Sequence, residues 1–300
     1  MASISLPPLP PAVPYTTTFD ADADLAGNVV VAVQAEGGID VHFLRTGKTY
    51  RVSTTMRYPC VRWIDPTRAL LVDSRSDIGS EGAAIDESGT QQSHPRIGEA
   101  VEDVVLTDGY IVGTYFDEGA FGDDPLSKNG VAVFRRDGAY EWGWNESRSD
   151  EIPWVYDCYA AGGGDGDTIG VWIYTQFQDS RYAFGILDIA QRSVRLFQLP
   201  DTIFDRVLAL TSTPEGVWIF ATRSWDEDRE ERIVAWRPGT DQYTTVSSPG
   251  NLTRGLRGGR FLRKTDTGLD LVTVSAQASA PNGAPAFDAG GLRAYFRPNS

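Results

Sequence analysis

Three hundred residues with 41% hydrophobic side chains can bury a sizeable core, which excludes a mainly disordered chain. Twenty-seven Lys plus Arg against 41 Asp plus Glu give a formal net charge of −14, which argues against nucleic acid or an anionic membrane surface as partner. Two cysteines, Cys60 and Cys158, are too few for a disulfide scaffold or a thiolate metal cluster; the N-terminal MASISLPPLPPAVP has neither a basic leader nor an unbroken apolar stretch, and the expectation is a soluble, cytoplasmic protein.

Helical periodicity is almost absent, and short β-branched and aromatic runs recur between turn signals. In chain order they form units. The first holds 19–26, VVVAV (29–33), VHFLRTG (41–47) and TYRVST (49–54); the second 60–65, ALLV (69–72), AAIDESG (83–89) and QQSHPRI (91–97). The third holds 101–107, YIVGTY (110–115), VAVFRRDG (131–138) and AYEWGW (139–144); the fourth 155–161, GVWIYT (170–175), FGILDIAQ (184–191) and SVRLFQLP (193–200). The fifth holds 205–211, GVWIFAT (216–222), IVAWRPG (233–239) and QYTTVSSP (242–249). The sixth reads as 254–263, LDLVTVS (269–275) and RAYFRPN (293–299), and it lacks a last strand that SISLPPLP (3–10) supplies from the other end.

Aligned on Phe43, Ile85, Phe134, Leu187, Trp236 and Phe296, the units are spaced 42, 49, 53, 49 and 60 residues apart, the range of a four-stranded blade with variable loops. The expected fold is all-β: one six-bladed β-propeller over 1–300, closed by an N-terminal strand, with a β-sandwich as the alternative. AWRPG (235–239) against YFRPN (295–299) is the clearest internal match.

In such a fold the starts of the innermost strands and the loops joining second to third strands share one face. The strand starts carry Asp20, Arg62, Asp103, Asp157, Asp205 with Arg206, and Arg254, so both signs of charge ring the axis. Two roles are open to them. Burial and neighbouring charge could split the pKa values of Asp103 and Asp157 into a general acid and a general base. Alternatively, Asp and Arg from neighbouring blades satisfy one another and knit the ring together. The loops add YFDEGAFGDDPLSKNG (115–130), TQFQDSRY (175–182) and RSWDEDREER (223–232). Tyr115, Phe116, Asp117, Glu118, Phe121, Phe177 and Trp225, with Arg62, Arg206 and Arg254, form the expected ligand-binding set, because aromatic faces and carboxylates together hold sugars, amines or cationic segments.

The stretches YFDEGAFG (115–122), GVAVFRRDG (130–138) and VYDCYAAGGGDGDTIGVWIYT (155–175) resemble segments of uncharacterised bacterial proteins with propeller-like repeats. That resemblance covers about a quarter of the chain and implies the fold, with no activity attached; it marks Asp117, Glu118 and Asp157. Strictosidine synthase-like and gluconolactonase-like enzymes share the inferred architecture, but their metal-ligand patterns are not matched residue by residue.

Other motifs fail. Asp20, Asp22 and Asp24 give D-x-D-x-D, yet Leu25 and Val31 stand where an EF-hand needs Gly and Glu; the three share one face of a strand, which leaves a divalent cation at the channel open. GGGDGD (162–167) lacks the Lys-Ser/Thr of a phosphate loop and reads as a turn. Only His42 and His94 are present, there is no G-x-S-x-G, and Lys48, Lys128 and Lys264 all sit in turn-like sequence. No cofactor or metal is expected. The expected function is a non-catalytic binding module whose acidic, aromatic face captures a basic protein surface or a small polar ligand. The alternative is a small-molecule hydrolase, isomerase or cyclase using Asp103 and Asp157, and a purely structural platform is a third reading.

Overall fold

The computed structural model describes residues 1–5, 19–75, 82–178, 180–200, 204, 206–224, 230–240, 243–266, 268–274 and 292–296. These residues build six small antiparallel sheets arranged as the blades of a propeller. Blade 1 runs from the axis outward as Phe19–Ala23, Val29–Ala35, Gly38–Phe43 and Lys48–Ser53. The innermost strands of blades 2 to 6 are Pro59–Asp65, Val101–Leu106, Asp157–Gly163, Val207–Ser212 and Leu252–Leu256. All six start on the face that also carries the loops between second and third strands, called here the upper face.

The runs read as continuous apolar stretches because each sheet is covered on both sides by its neighbours. Successive residues of one strand alternate between two seams. Val30 and Ala32 pack toward blade 2 with Val61, Trp63 and Leu71, while Val29, Val31 and Val33 pack toward blade 6 with Leu256, Leu262 and Leu271. Six separate hydrophobic clusters fill the six seams, and each fully buried Val, Leu, Ile or Phe contributes about 1.5–3 kcal/mol.

An N-terminal strand does close the ring. Ala2–Ser5 pairs antiparallel with Asp270–Thr273 as the outer strand of blade 6, so both ends of the ring meet in that blade; residues 6–10 of the expected strand lie outside the described residues. The rest of blade 6 differs from expectation. The segment expected as one innermost strand, 254–263, is two strands, Leu252–Leu256 and Arg260–Thr265, joined by a turn in which Gly258 and Gly259 adopt φ of 78° and 72°. Gly268–Thr273 is therefore the third strand, not the second. The described part of RAYFRPN belongs to another blade: Leu292–Tyr295 pairs with Ser193–Leu196 as a fifth strand on blade 4, and 297–299 lie outside the described residues. Phe296 explains the preference, since its ring lies 4.6 Å from that of Trp142 and 5.2 Å from that of Trp144 and so fills the seam between blades 3 and 4.

Blades 4, 5 and 6 meet near the axis by backbone contact. Gly162 and Gly255 flank the carbonyl of Leu210, and a Cβ would stand 1.9 Å from that oxygen at Gly162 and 1.8 Å from it at Gly255. Neither approach survives a side chain. Gly162→Ala and Gly255→Ala are each expected to lower unfolding free energy in chemical denaturation by about 1–3 kcal/mol or more, and a change below about 0.5 kcal/mol would contradict this packing.

Candidate functional site

Blades 1, 2, 3 and 6 meet through charge instead. Arg62, 4% exposed, sends one guanidinium nitrogen to Asp20 of blade 1 and another to Asp103 of blade 3, while its Nε donates to the Val104 carbonyl at 2.8 Å. Arg254 comes from blade 6, opposite blade 3 in the ring. Its Nη1 donates to Asp103 at 2.5 Å and its Nη2 to the same Val104 carbonyl at 2.8 Å, and its Nε lies 3.5 Å from Asp22. The carboxylates also accept main-chain N–H groups of the next blade, Asp20 from Val61 and Asp22 from Trp63, both at 2.9 Å.

Three carboxylates facing two guanidiniums leave one surplus negative charge in a dry place. Burial, opposed by Arg62, raises Asp103 to about 7 and Asp22 to about 6, and the mutual repulsion of the acids adds to both. This cluster plugs the channel. Arg62 and Arg254 line the floor of a cavity of about 220 Å³ on the upper side and of one of about 420 Å³ on the lower side.

Glu102 and Tyr159 line the upper cavity, and Asp157, which does not line it, stands next to Tyr159. Glu102 is raised to about 8 by burial and then by Asp103 and Asp157, against Arg75. Asp157, the first residue of its strand and 8% exposed, is raised to about 6 by burial and by Asp117, with the Tyr159 hydroxyl pulling the other way. Its Oδ1 has no hydrogen-bond partner among the described residues. Beside it runs a string of rings: Phe121 stacks on Tyr156 at 5.9 Å, Tyr156 meets Tyr174 at 5.8 Å, Tyr174 meets Tyr182 at 5.8 Å, and Tyr182 meets Tyr159 at 5.9 Å. Asp157 pairs directly across the sheet with Tyr174, which fixes the carboxylate against the middle of the string.

Several expected site residues are placed elsewhere. Tyr115 is fully buried, donates its hydroxyl to the Ile97 carbonyl and packs in the seam between blades 2 and 3, so no ligand reaches it. Phe177 is likewise in the core between blades 3 and 4. Asp103 is clamped by Arg62 and Arg254, which removes it as a general base. Arg62 and Arg254 themselves have their donors directed at carboxylates and carbonyls, so they form the floor and are not free ligand clamps. Arg206 is exposed beside blade 5 and does not line the upper cavity. Trp225, with Asp205, lies outside the described residues.

The 115–130 loop is largely self-packed. It forms a short helix over Asp117–Ala120, buries Asp124 against Arg96, and ties Ser127 to Glu99 by hydrogen bonds of 2.7 and 2.8 Å. Arg75 covers the Phe116 ring at 4.6 Å and pairs with Glu118, while Asp117 and Phe121 stay exposed at the tip. Asp20, Asp22 and Asp24 do not converge on a cation: the first two face Arg62 and Arg254, and Asp24 accepts the Asn28 backbone and side-chain N–H groups at 2.8 and 2.7 Å. Cys60 and Cys158 are buried and burial pushes both thiols up, which fits small core residues and not nucleophiles.

No protein-family model and no curated protein matches the chain. Among solved structures it is similar to a eukaryotic initiation factor, at 13% identity and a TM-score of 0.43 over 77% of this chain and 55% of that one. It is also similar to apo AztD from Citrobacter koseri, at 14% identity and a TM-score of 0.42 over 81% of this chain and 66% of that one. The chain thus spans less than two thirds of either, and these likenesses assign it no activity.

The raised carboxyls set a pH dependence. A carboxyl whose folded pKa exceeds its unfolded value contributes stability at low pH that is lost as pH rises through the folded pKa, whereas His42 and His94, lowered by burial, oppose this only below their ordinary 6.5. Thermal stability is therefore expected to fall between about pH 6.5 and 8, and Glu102→Gln to flatten that fall; a wild-type profile that rises across the window, or one unchanged by the substitution, would contradict the assignment.

Proposed function

We propose that the upper face is a binding site for a cationic group, an ammonium or guanidinium presented by a basic protein segment or by a small polar molecule. The observation that carries this reading is Asp157: a nearly buried carboxylate with an unpartnered oxygen, set against a string of five aromatic rings. A cation placed there would gain the charge of Asp157 and the faces of Tyr156, Tyr159 and Phe121, at the edge of the upper cavity that Tyr159 lines. Asp117 and Glu118 at the rim, with the net charge of −14, would steer it in.

Protons couple to this binding. Glu102, raised to about 8, is mostly protonated at neutral pH, and an incoming cation would favour its ionised form and expel the proton. Affinity for a cation should then climb with pH between about 6 and 8.

A second reading rests on the same two carboxyls. With Glu102 near 8 and Asp157 near 6, one is an acid and the other a base at pH 7, as acid–base chemistry on a small molecule by a hydrolase, isomerase or cyclase requires. A bell-shaped rate profile lost in both Glu102→Gln and Asp157→Asn would favour it over simple capture.

The binding reading is tested by calorimetric titration with spermidine and with a tetra-arginine peptide. Asp157→Asn is expected to weaken binding by about tenfold, equivalent to about 1.4 kcal/mol. Raising salt from about 50 to about 500 mM should weaken it further, since the rim charges are screened. Affinities indifferent to both salt and Asp157 would refute cation capture at this face.

A further inference from the structure

The larger cavity lies below the plug, where the innermost strands end, and its chemistry is the reverse of the upper face. About 420 Å³ in volume, it falls in the range of small-molecule sites. Its walls include Trp63, Ile64 and Leu106, and Leu25 stands exposed at its lip. Three arginines besides the two in the floor reach into it: Arg136, Arg257 and Arg260.

Their partners differ. Arg257 is paired with Asp108 at 2.7 Å, its stem passing over Gly163, where a Cβ would stand 2.5 Å from the Arg257 Cγ. Arg136 donates to the Ile64 carbonyl at 2.6 Å and to the Thr107 carbonyl. Arg260 donates to the carbonyls of Arg257 at 3.0 Å, Asp24 at 3.1 Å and Leu25 at 3.3 Å. Carbonyls orient a guanidinium without neutralising it. Among the described residues no carboxylate lies within ion-pair distance of Arg136 or Arg260. Burial lowers both from their ordinary value, against the more distant pull of Asp108, Asp65 and Asp167 on Arg136 and of Asp24 and Asp22 on Arg260.

The three acids that line the cavity are already engaged. Asp22 accepts the Trp63 N–H and faces Arg254, Asp24 holds Asn28, and Asp65 accepts from Thr67 and from Arg68 at 2.7 Å. Asn28 does not neutralise Asp24, but Arg136 and Arg260 outnumber it, so the net unmatched charge in this chamber is positive, in a protein that is strongly acidic as a whole.

We propose that the lower cavity is a binding site for a small organic carboxylate, its anionic head held by Arg136 and Arg260 and its apolar body against Trp63, Ile64 and Leu106. Arginine forks match carboxylate geometry, and the apolar wall rewards a carbon skeleton that a bare inorganic anion lacks. The site is independent of the upper face, because the Arg62, Asp103 and Arg254 plug stands between them.

Calorimetric titration of the full chain with benzoate, phenylacetate and hexanoate tests this, with benzamide and inorganic phosphate as counter-probes. At least one carboxylate is expected to bind saturably at one site, with benzamide and phosphate each about tenfold weaker or more. Arg136→Met and Arg260→Met should each weaken carboxylate binding by about tenfold, and Asp157→Asn should leave it unchanged. Should a Met variant fail to fold, Arg136→Lys and Arg260→Lys keep the charge but lose the fork, and a drop of about threefold or more in affinity is expected of each. The proposal is overturned if no carboxylate binds more tightly than about 10 mM, if benzamide or phosphate binds as well, or if the arginine variants bind like the wild type.

Discussion

Arg254 reaches from blade 6 across the channel to Asp103 on blade 3, a pairing of residues 151 apart in sequence. A propeller whose seams are filled only by aliphatic side chains has nothing to set the distance between opposite blades. Here that distance is set by a charged strut, and Arg62 extends it to blades 1 and 2 through Asp20 and Asp103. The Val104 carbonyl, accepting from both arginines, fixes the height of the strut along the axis. On the other side of the ring, Gly162 and Gly255 admit the Leu210 carbonyl, so backbone contact does there what charge does here. The desolvation of five ionisable groups is tolerated because each is met by an opposite charge or by a main-chain dipole.

The strut also divides the function of the channel. A through-going pore would mix the potentials of its two mouths. With the axis closed, the upper cavity is lined by Glu102 and Tyr159, while the lower one is lined by Arg136 and Arg260 with Trp63, Ile64 and Leu106. On the two proposals made above, the two mouths of one disc would hold ligands of opposite charge, each in a partly enclosed pocket where charge counts for more than at an open surface. Raised carboxyl pKa values above the plug and lowered guanidinium values below it have the same cause, burial of charge without a full counter-charge.

Much of the ring is legible in the sequence because a blade covered on both sides must be apolar on both sides. VVVAV and GVWIFAT read as strands for that reason, and the turns between them carry Gly, Asp and Asn. Blade 6 resists the same reading. Its second strand, RFLRKT, shows only Phe261 and Leu262 to the core and is otherwise polar, so it merges by eye with the strand before it. AWRPG and YFRPN look alike, yet Phe296 serves a seam two blades from the expected one; a short aromatic edge strand fits any sheet with room for its ring. At the site, Asp20, Arg62, Asp103 and Arg254 are recognisable as axial charges from their strand starts, but which acid each arginine clamps depends on ring geometry. Tyr156, Tyr159, Tyr174 and Tyr182 were hidden differently. They lie in or next to strands of blade 4, and a search of loops reaches Tyr182 alone, in TQFQDSRY, although two tyrosines flanking Asp157 within four residues are a visible signal. Tyr115 and Phe177 mislead in the opposite sense, since the last residue of a second strand points into a seam as readily as toward solvent.

The axial strut is tested most directly by a double-mutant cycle on Arg254 and Asp103, measured as unfolding free energies of the wild type, Arg254→Met, Asp103→Asn and the double variant. Removing Arg254 leaves three acids facing one guanidinium and should destabilise by about 3–5 kcal/mol; Asp103→Asn removes the surplus negative charge and should cost less, and the double variant should be less damaged than the sum by at least about 1 kcal/mol. Additivity within about 0.3–0.5 kcal/mol would mean that the two residues stabilise the ring independently, and the strut would not exist as an interaction.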